Sequence, residues 1–238
     1  MKKILICFLI VFVLFGYIVV SAEGKEDELN LVEITDQTKI EKIVESLSMR
    51  VESEKPLDST LYGFDVNEHG MIAIVHRPYI FDHRDHISIL SSDGAFQKAF
   101  SFKNPSYCAV RWDGSYLQIF LVMQKLVITV DLEGNILTIY DADGIDNSEW
   151  GDYTLDMLET NEKTIDGVTY IASRDYGVFD SLILKSQYTR VTVVSENSEN
   201  LIYDVNSLSC ATMIIIVILG IAFFVGVAIK AYFLINEK

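Results

Sequence analysis

From Leu61 to Tyr140 the chain alternates short apolar stretches with Asp/Gly turns. Phe64-Asp65-Val66 runs into Glu68-His69-Gly70 and out through Met71–Val75. Ile87–Leu90 leads to Ser92-Asp93-Gly94 and then Phe96–Phe102. Ala109–Trp112 leads to Asp113-Gly114 and then Tyr116–Met123, and Leu126–Val130 leads to Asp131–Gly134 and then Ile136–Tyr140. β-branched and aromatic residues on both sides of a turn whose glycine supplies positive φ predict four β-hairpins. Before them, Ile40, Ile43, Val44 and Leu47 repeat at i, i+3, i+4, i+7, which predicts an amphipathic helix over Asp36–Arg50 capped by Thr35 or Asp36. Leu31–Ile34 reads as a short strand, and charged Val51–Ser59, with Pro56, reads as a linker. Asp141–Asn161 breaks the strand period and predicts a short helix around Tyr153–Leu158.

Two apolar runs bracket this body. Ala211–Ile229 is nineteen residues without a charge, which as a helix spans about 29 Å, the thickness of a bilayer's hydrocarbon core. At the other end, Met1-Lys2-Lys3, an apolar stretch and Val20-Ser21-Ala22 have the three parts of a secretory signal. An uncleaved anchor is the alternative, because the apolar part is long. Either way Lys2 and Lys3 stay inside and the body crosses. Lys230 follows the second run directly, while Glu196, Glu199 and Asp204 precede it, as the positive-inside rule requires. Ala222 and Gly226 put two small residues on one face of that helix, a spacing that lets helices approach but is common in any span.

The expected organisation is a signal peptide or signal anchor over residues 1–22 and a spacer over 23–60 that carries the helix at 36–50. An extracytoplasmic β domain follows over 61–207, then a transmembrane helix over 208–235 and a cytoplasmic tail over 236–238.

The turn spacing sharpens the fold. Gly70 to Gly114 is 44 residues and Gly94 to Gly134 is 40. Two hairpins per unit make a four-stranded antiparallel unit of the size of a propeller blade. Here the body resembles the NHL and YWTD class of β-propeller repeats, which pair a stretch such as Trp112-Asp113-Gly114-Ser115-Tyr116-Leu117 with one such as Val127–Ile136. The layout also resembles uncharacterised membrane-anchored proteins of Gram-positive bacteria. The resemblance covers Leu61–Tyr140 well and Ile165–Val205 loosely, through Asp166–Tyr170 and Arg190–Val194. It implies a mainly β, propeller-like fold with two full units and one partial one, and it carries over no functional residues. Closed propellers usually have at least four blades. An incomplete propeller, an open stack of sheets and a lateral dimer all fit.

Composition narrows the function. Between Glu23 and Ser207 the chain holds 15 basic and 33 acidic residues, a net charge of −18. Such a surface repels phosphate backbones and anionic headgroups, which excludes nucleic acid as a partner and holds the body off the membrane. Of the three cysteines, Cys7 lies in the first apolar run and Cys210 at the membrane edge. Cys108 alone lies in the body, beside an apolar strand, and is expected to pack in the core without a disulfide. Asn104-Pro105-Ser106 is the body's single glycosylation-like triplet, and its proline disables it. Both features suit a bacterial source.

Candidate chemistry is sparse. His83 and His86, with Asp82 and Asp85 and with His69 and His76 nearby in sequence, offer imidazole and carboxylate for a transition metal. The competing reading is a solvated loop after Pro78, and no metal site is assigned. Asp141–Asp146 looks like a calcium loop, but position 5 is Ile145 and the glycine falls at position 4, so the EF-hand pattern fails and a plain acidic turn is expected. Tyr107, Trp112, Tyr116 and Phe120 are expected in the core, with exposed members free to line a ligand face. No nucleophile elbow, P-loop, dinucleotide fingerprint or His-Glu-x-x-His is found, so no catalytic residue and no cofactor is assigned. The expectation is a single-pass membrane protein (two-pass if the first run is uncleaved) that binds a protein, peptide or glycan or senses the envelope without enzymatic activity. A structural subunit of a membrane complex and an envelope hydrolase using paired carboxylates are the alternatives.

Overall fold

The structure is a computed structural model that describes residues 29–77, 84–104, 106–174, 188–196 and 198–205, together with Ile215, Ile218 and Leu219. The chain divides into Met1–Asn30 and Leu31–Lys238, and all that follows concerns the second unit.

The described residues are mainly β. In order they form β1 (Val32–Glu33), α1 (Gln37–Leu47), β2 (Arg50–Glu52), β3 (Leu61–Val66), β4 (Ile72–His76), β5 (Arg84–Leu90), β6 (Phe96–Lys103), β7 (Cys108–Asp113) and β8 (Tyr116–Leu121). Then come β9 (Leu126–Val130), β10 (Ile136–Asp141), α2 (Asn147–Glu159), β11 (Glu162–Ile165), β12 (Val168–Ser173), β13 (Arg190–Ser195) and β14 (Ser198–Asp204). They build three antiparallel sheets. Sheet I is β2-β6-β5-β4-β3, sheet II is β1-β10-β9-β8-β7, and sheet III is β11-β12-β13-β14. Each contains one meander of four strands consecutive in the chain, the four-stranded unit that the turn spacing predicts.

The turns behave as glycine turns should. Gly70, Gly94, Gly114, Gly134 and Gly167 all have positive φ, a region that costs other residues energy. In the β5–β6 turn, Asp93 Oδ1 accepts from Ala95 N at 3.2 Å and Gly94 N donates to Ser91 O at 2.9 Å, which closes the reversal.

Four expectations need correction. The helix ends at Leu47, not Arg50, because Ser48 takes the left-handed conformation (φ 47°) and its N–H closes on Val44 O at 3.1 Å. Val51 and Glu52 are not linker: with Arg50 they pair with Ser101, Phe100 and Ala99 of β6. A strand of three residues carries too little alternation to be told from loop by pattern alone. The helix after sheet II is also more than twice the expected length, with Asp146 as its N-cap accepting from Ser148 N at 2.8 Å. Sheet III, expected as a partial unit, has all four strands.

Sheet I lies in the middle. One of its faces contributes Tyr62, Ala73, Val75, Ile87, Ile89, Phe100 and Phe102 to a core shared with Val110, Leu117, Ile119, Ile128 and Ile139 of sheet II. The other contributes Leu61, Phe64, Val66, Ile72, Ile74 and Leu90 to a core shared with Tyr170, Ala172, Val191 and Tyr203 of sheet III. Because both faces are covered, β3, β4 and β5 are buried along their whole length. The spatial order is therefore II–I–III while the chain order is I–II–III. α2 makes the return. Its first turns cover the outer face of sheet II, where Trp150 Nε1 donates to Val122 O at 2.8 Å and the Trp150 and Tyr153 rings lie 6.2 and 5.9 Å from Phe120. At its last turn Glu159 O accepts from the hydroxyl of Tyr188, two residues before β13, at 3.1 Å.

Among the described residues no helix is long and apolar enough to cross a membrane. The expected span lies outside the described residues, except Ile215, Ile218 and Leu219, which are helical and exposed. The expected signal segment also lies outside them.

Gly94 and Gly114 offer a test of how the sheets seat. A Cβ at Gly94 (φ +85°) would meet Ile202 Cβ of β14 at 2.8 Å, whereas one at Gly114 (φ +56°) would meet nothing within 4 Å. Gly114→Ala should cost about 1 kcal/mol for its backbone alone. Gly94→Ala should cost about 2–4 kcal/mol, because the sheet I–III contact must also open. Urea denaturation of the two variants checks the difference.

Candidate functional site

The first strands of the three meanders, β3, β7 and β11, run close together, with β3 against both of the others. On β3 sits Asp65, only 7% exposed. Its Oδ2 accepts from the backbone N–H of Trp112 on β7 at 2.6 Å, and its Oδ1 pairs with Lys163 Nζ on β11. One carboxylate thus joins all three sheets at their inner edge. A carboxylate between apolar faces is stable only with such partners.

A second concentration of buried polar groups lies where β4 ends and β5 begins. Strand alternation divides it between the two faces of sheet I. On the side of sheet II, Asp85 is completely buried. Its Oδ1 accepts from Arg77 Nε at 2.8 Å and its Oδ2 from Asn104 Nδ2 at 2.6 Å. Arg77 Nη2 also donates to Ser106 O at 2.5 Å and Asn104 O at 3.3 Å. The ion pair therefore ties down the crossover from sheet I to sheet II. Beside it, burial pushes the Cys108 thiol well up, and the Asp85 charge adds to this. Cys108 is protonated and packed in the core at neutral pH, as expected. Tyr62 is shifted the same way by burial, and Cys108 and Asp85 beside it add to this.

On the side of sheet III, His76 of β4 and His86 of β5 are cross-strand partners. Their rings are 5.9 Å apart. His76 is fully buried, with Nε2 2.9 Å from Ser88 Oγ and Nδ1 3.2 Å from Ser59 Oγ. Burial pushes its pKa down to about 3, helped by His86 and Lys55. It is therefore neutral over most of the pH scale. His86 Nδ1 lies 3.5 Å from Glu52 Oε2 on β2. Tyr203 of β14 locks the segment between β2 and β3 over this cluster, donating to Ser59 O at 2.5 Å and accepting from Ser59 N at 3.1 Å. Arg84 Nη2 holds the C-terminus of α1 through Ser48 O at 2.9 Å and β6 through Ser101 O at 3.0 Å.

Chemically this cluster holds elements together. A base that activates a serine needs its other nitrogen oriented by a carboxylate or carbonyl, but both ring nitrogens of His76 face serine hydroxyls. Of the histidines singled out in the sequence, the structure brings His76 and His86 together and sets His69 apart. His69 is exposed in the β3–β4 turn, 3.6 Å from Glu68, at the other end of β4. Asp85 and His86 point to opposite faces of sheet I. Asp82 and His83, and with them the His83/His86 pair, lie outside the described residues. Among the described residues, no three His, Cys, Asp or Glu side chains group as metal ligands.

The acidic run Asp141–Asp146 is likewise dispersed. Asp141 pairs with Lys39 of α1 at 2.6 Å and accepts from Asp143 N at 2.8 Å, which hold its pKa below the usual range. Asp146 caps α2, and Ile145 is buried. Of the aromatics, Trp112 and Phe120 are buried while Tyr107 and Tyr116 are exposed. The sequence reading passed over Asp65, Arg77, Lys163 and Tyr203. One sign was present: Asp65 is a charged residue inside an otherwise apolar strand.

Compared with known proteins, the chain matches no family model, no curated protein and no solved structure.

Two outcomes are expected. Asp65→Ala should cost about 2–4 kcal/mol, less than a fully buried pair because a third of the Lys163 side chain stays in solvent. Asp65→Asn should cost less, since its amide oxygen still accepts from Trp112 N; chemical denaturation ranks the two. His76 has the ordinary value of 6.5 when unfolded and about 3 when folded. Between those values the unfolded chain binds a proton that the folded chain refuses. Stability is therefore complete above pH 6.5 and declines on acidification by up to about 1.4 kcal/mol per pH unit, to about pH 3. His76→Gln should flatten that decline, as read from urea midpoints across the acid range.

Proposed function

We propose that this chain is a bacterial cell-surface protein. One C-terminal helix anchors it, an N-terminal signal peptide or signal anchor exports it, and its body is an incomplete three-bladed propeller displayed outside the membrane. Its work is to bind a ligand or sense the envelope rather than to catalyse.

The observation that carries this reading is the uncharged run Ala211–Ile229, which begins seven residues after the end of β14. A run this long without a polar face is far more stable in lipid than in water. The charge of the body favours the same arrangement, because an anionic surface is repelled by the membrane face. The blade reading is supported by three four-stranded meanders whose first strands meet at Asp65 while their last strands lie at the far side of each meander. It differs from a regular propeller in one respect: the third unit packs on the free face of the first rather than beside the second. α2 occupies the inner edge over which that return is made.

The test is fractionation of cells that express the full chain. The protein should stay in the membrane pellet through alkaline carbonate and appear in the supernatant with detergent. External protease should degrade the body on intact cells whose outer layers have been opened. Ile215→Arg with Leu219→Arg should release it, since each charge costs about 3 kcal/mol of insertion near a helix centre. Wild-type protein that is soluble without detergent would overturn the assignment.

A further inference from the structure

The three sheets differ at their outer edges. In sheet I the last strand of the meander, β6, is covered by β2, and in sheet II the corresponding strand, β10, is covered by β1. In sheet III, β14 pairs with β13 and, among the described residues, with no further strand. Ser198, Glu199, Asn200 and Leu201 are all exposed, so this half of β14 is open on both faces as well as along its edge. Leu201, 53% exposed, puts an apolar side chain in the middle of it.

An open edge offers unpaired N–H and C=O groups to any extended chain. Proteins usually blunt such edges with lysine, proline or a bulge. The stretch Ser195–Val205 has neither lysine nor proline. β14 does bulge at Ile202, where Leu201 pairs with Thr192 and Tyr203 with Val191, but from Ser198 to Leu201, the exposed half, its pairing with β13 is regular. The charges on this edge have one sign. Glu196 and Glu199 are exposed and make no ion pair among the described residues.

We propose that the exposed half of β14 is a docking edge for an extended, cationic peptide segment of a partner. The segment adds to sheet III as a fifth strand, in the place that β2 and β1 take in sheets I and II. Main-chain hydrogen bonds hold it, as in other strand additions. Glu196 and Glu199 select lysine- or arginine-bearing segments over acidic ones. A second copy of this chain fits less well, because antiparallel pairing of two β14 strands would set acidic strands side by side. The inference deepens the binding role proposed above and rests on it.

The experiment uses the full chain in neutral detergent, with a peptide of alternating lysine and valine as probe. Two controls are a peptide of alternating glutamate and valine and a lysine–valine peptide interrupted by proline. Hydrogen exchange should show saturable protection of the 198–204 amides by the lysine–valine probe. The acidic peptide should bind at least about tenfold more weakly, and Glu196→Lys with Glu199→Lys should reverse that preference without changing the thermal midpoint. Three results overturn the proposal: no β14 protection at saturating probe, equal binding of the proline-interrupted peptide, or β14 protection that rises with protein concentration in the absence of peptide. The last identifies a second copy as the occupant. Failure of the edge in protein that still fractionates with membranes defeats the edge alone, whereas failure to fractionate defeats the surface role.

Discussion

Asp65 has to remain paired for the three sheets to keep their relative places. It is a carboxyl group with almost no access to water, and its two oxygens are committed to different sheets. Apolar contacts between sheets are non-directional and tolerate sliding. A buried carboxylate tolerates little, because a lost partner leaves a charge or a donor uncompensated. The hydrophobic faces therefore drive the sheets together, and Asp65 fixes where β7 and β11 stand against β3. That division of labour also explains why a charge lies in a strand whose other residues are buried.

The central position of sheet I sets a second constraint. A sheet with one wet face can alternate apolar and polar residues, but a sheet covered on both sides must satisfy every polar group internally. Sheet I carries Asp85, Arg84, His76, His86, Ser88 and Ser101 into that environment. They meet this demand by local pairing at one end: Asp85 with Arg77 and Asn104, and His76 with Ser59 and Ser88. The rest of β4, from Ile72 to Val75, is apolar. Both clusters also bind connecting segments, the crossover at Asn104–Ser106 and the segment that holds Ser59. Polar burial in this protein thus secures chain reversals between layers. Where that pattern ends, at the edge of β14, the main chain faces outward.

Much of the local structure was legible in the chain. The glycine turns at Gly70, Gly94, Gly114 and Gly134 mark four hairpins because positive φ is cheap only for glycine, and their 40–44 residue spacing marks the four-stranded unit. The face of α1 was legible from Ile40, Ile43 and Leu47, although Val44 stays 37% exposed at its rim. β2 was not legible, since it is a strand only through its partner β6. The fourfold nature of sheet III was obscured because its hairpin signals are weaker and its middle strands, β12 and β13, are far apart in sequence. The histidines looked like one ligand group by proximity along the chain. Neighbouring strand residues point to opposite faces, and that separates Asp85 from His86 while bringing His76 to His86 across the ladder.

The sequence by itself determined the hairpins, the size of the repeating unit, the amphipathic helix, the sign of the surface charge and the apolar runs at each end. Each depends on residues within a turn or two of one another, or on composition. Only the tertiary structure decided that sheet III returns to the free face of sheet I, that Asp65 joins three strands, and that the first two sheets gain edge strands while β14, among the described residues, does not. Those outcomes depend on partners tens of residues apart. Such contacts form only once the layers have stacked, and the covering of apolar faces that stacks them leaves no period in the chain to read.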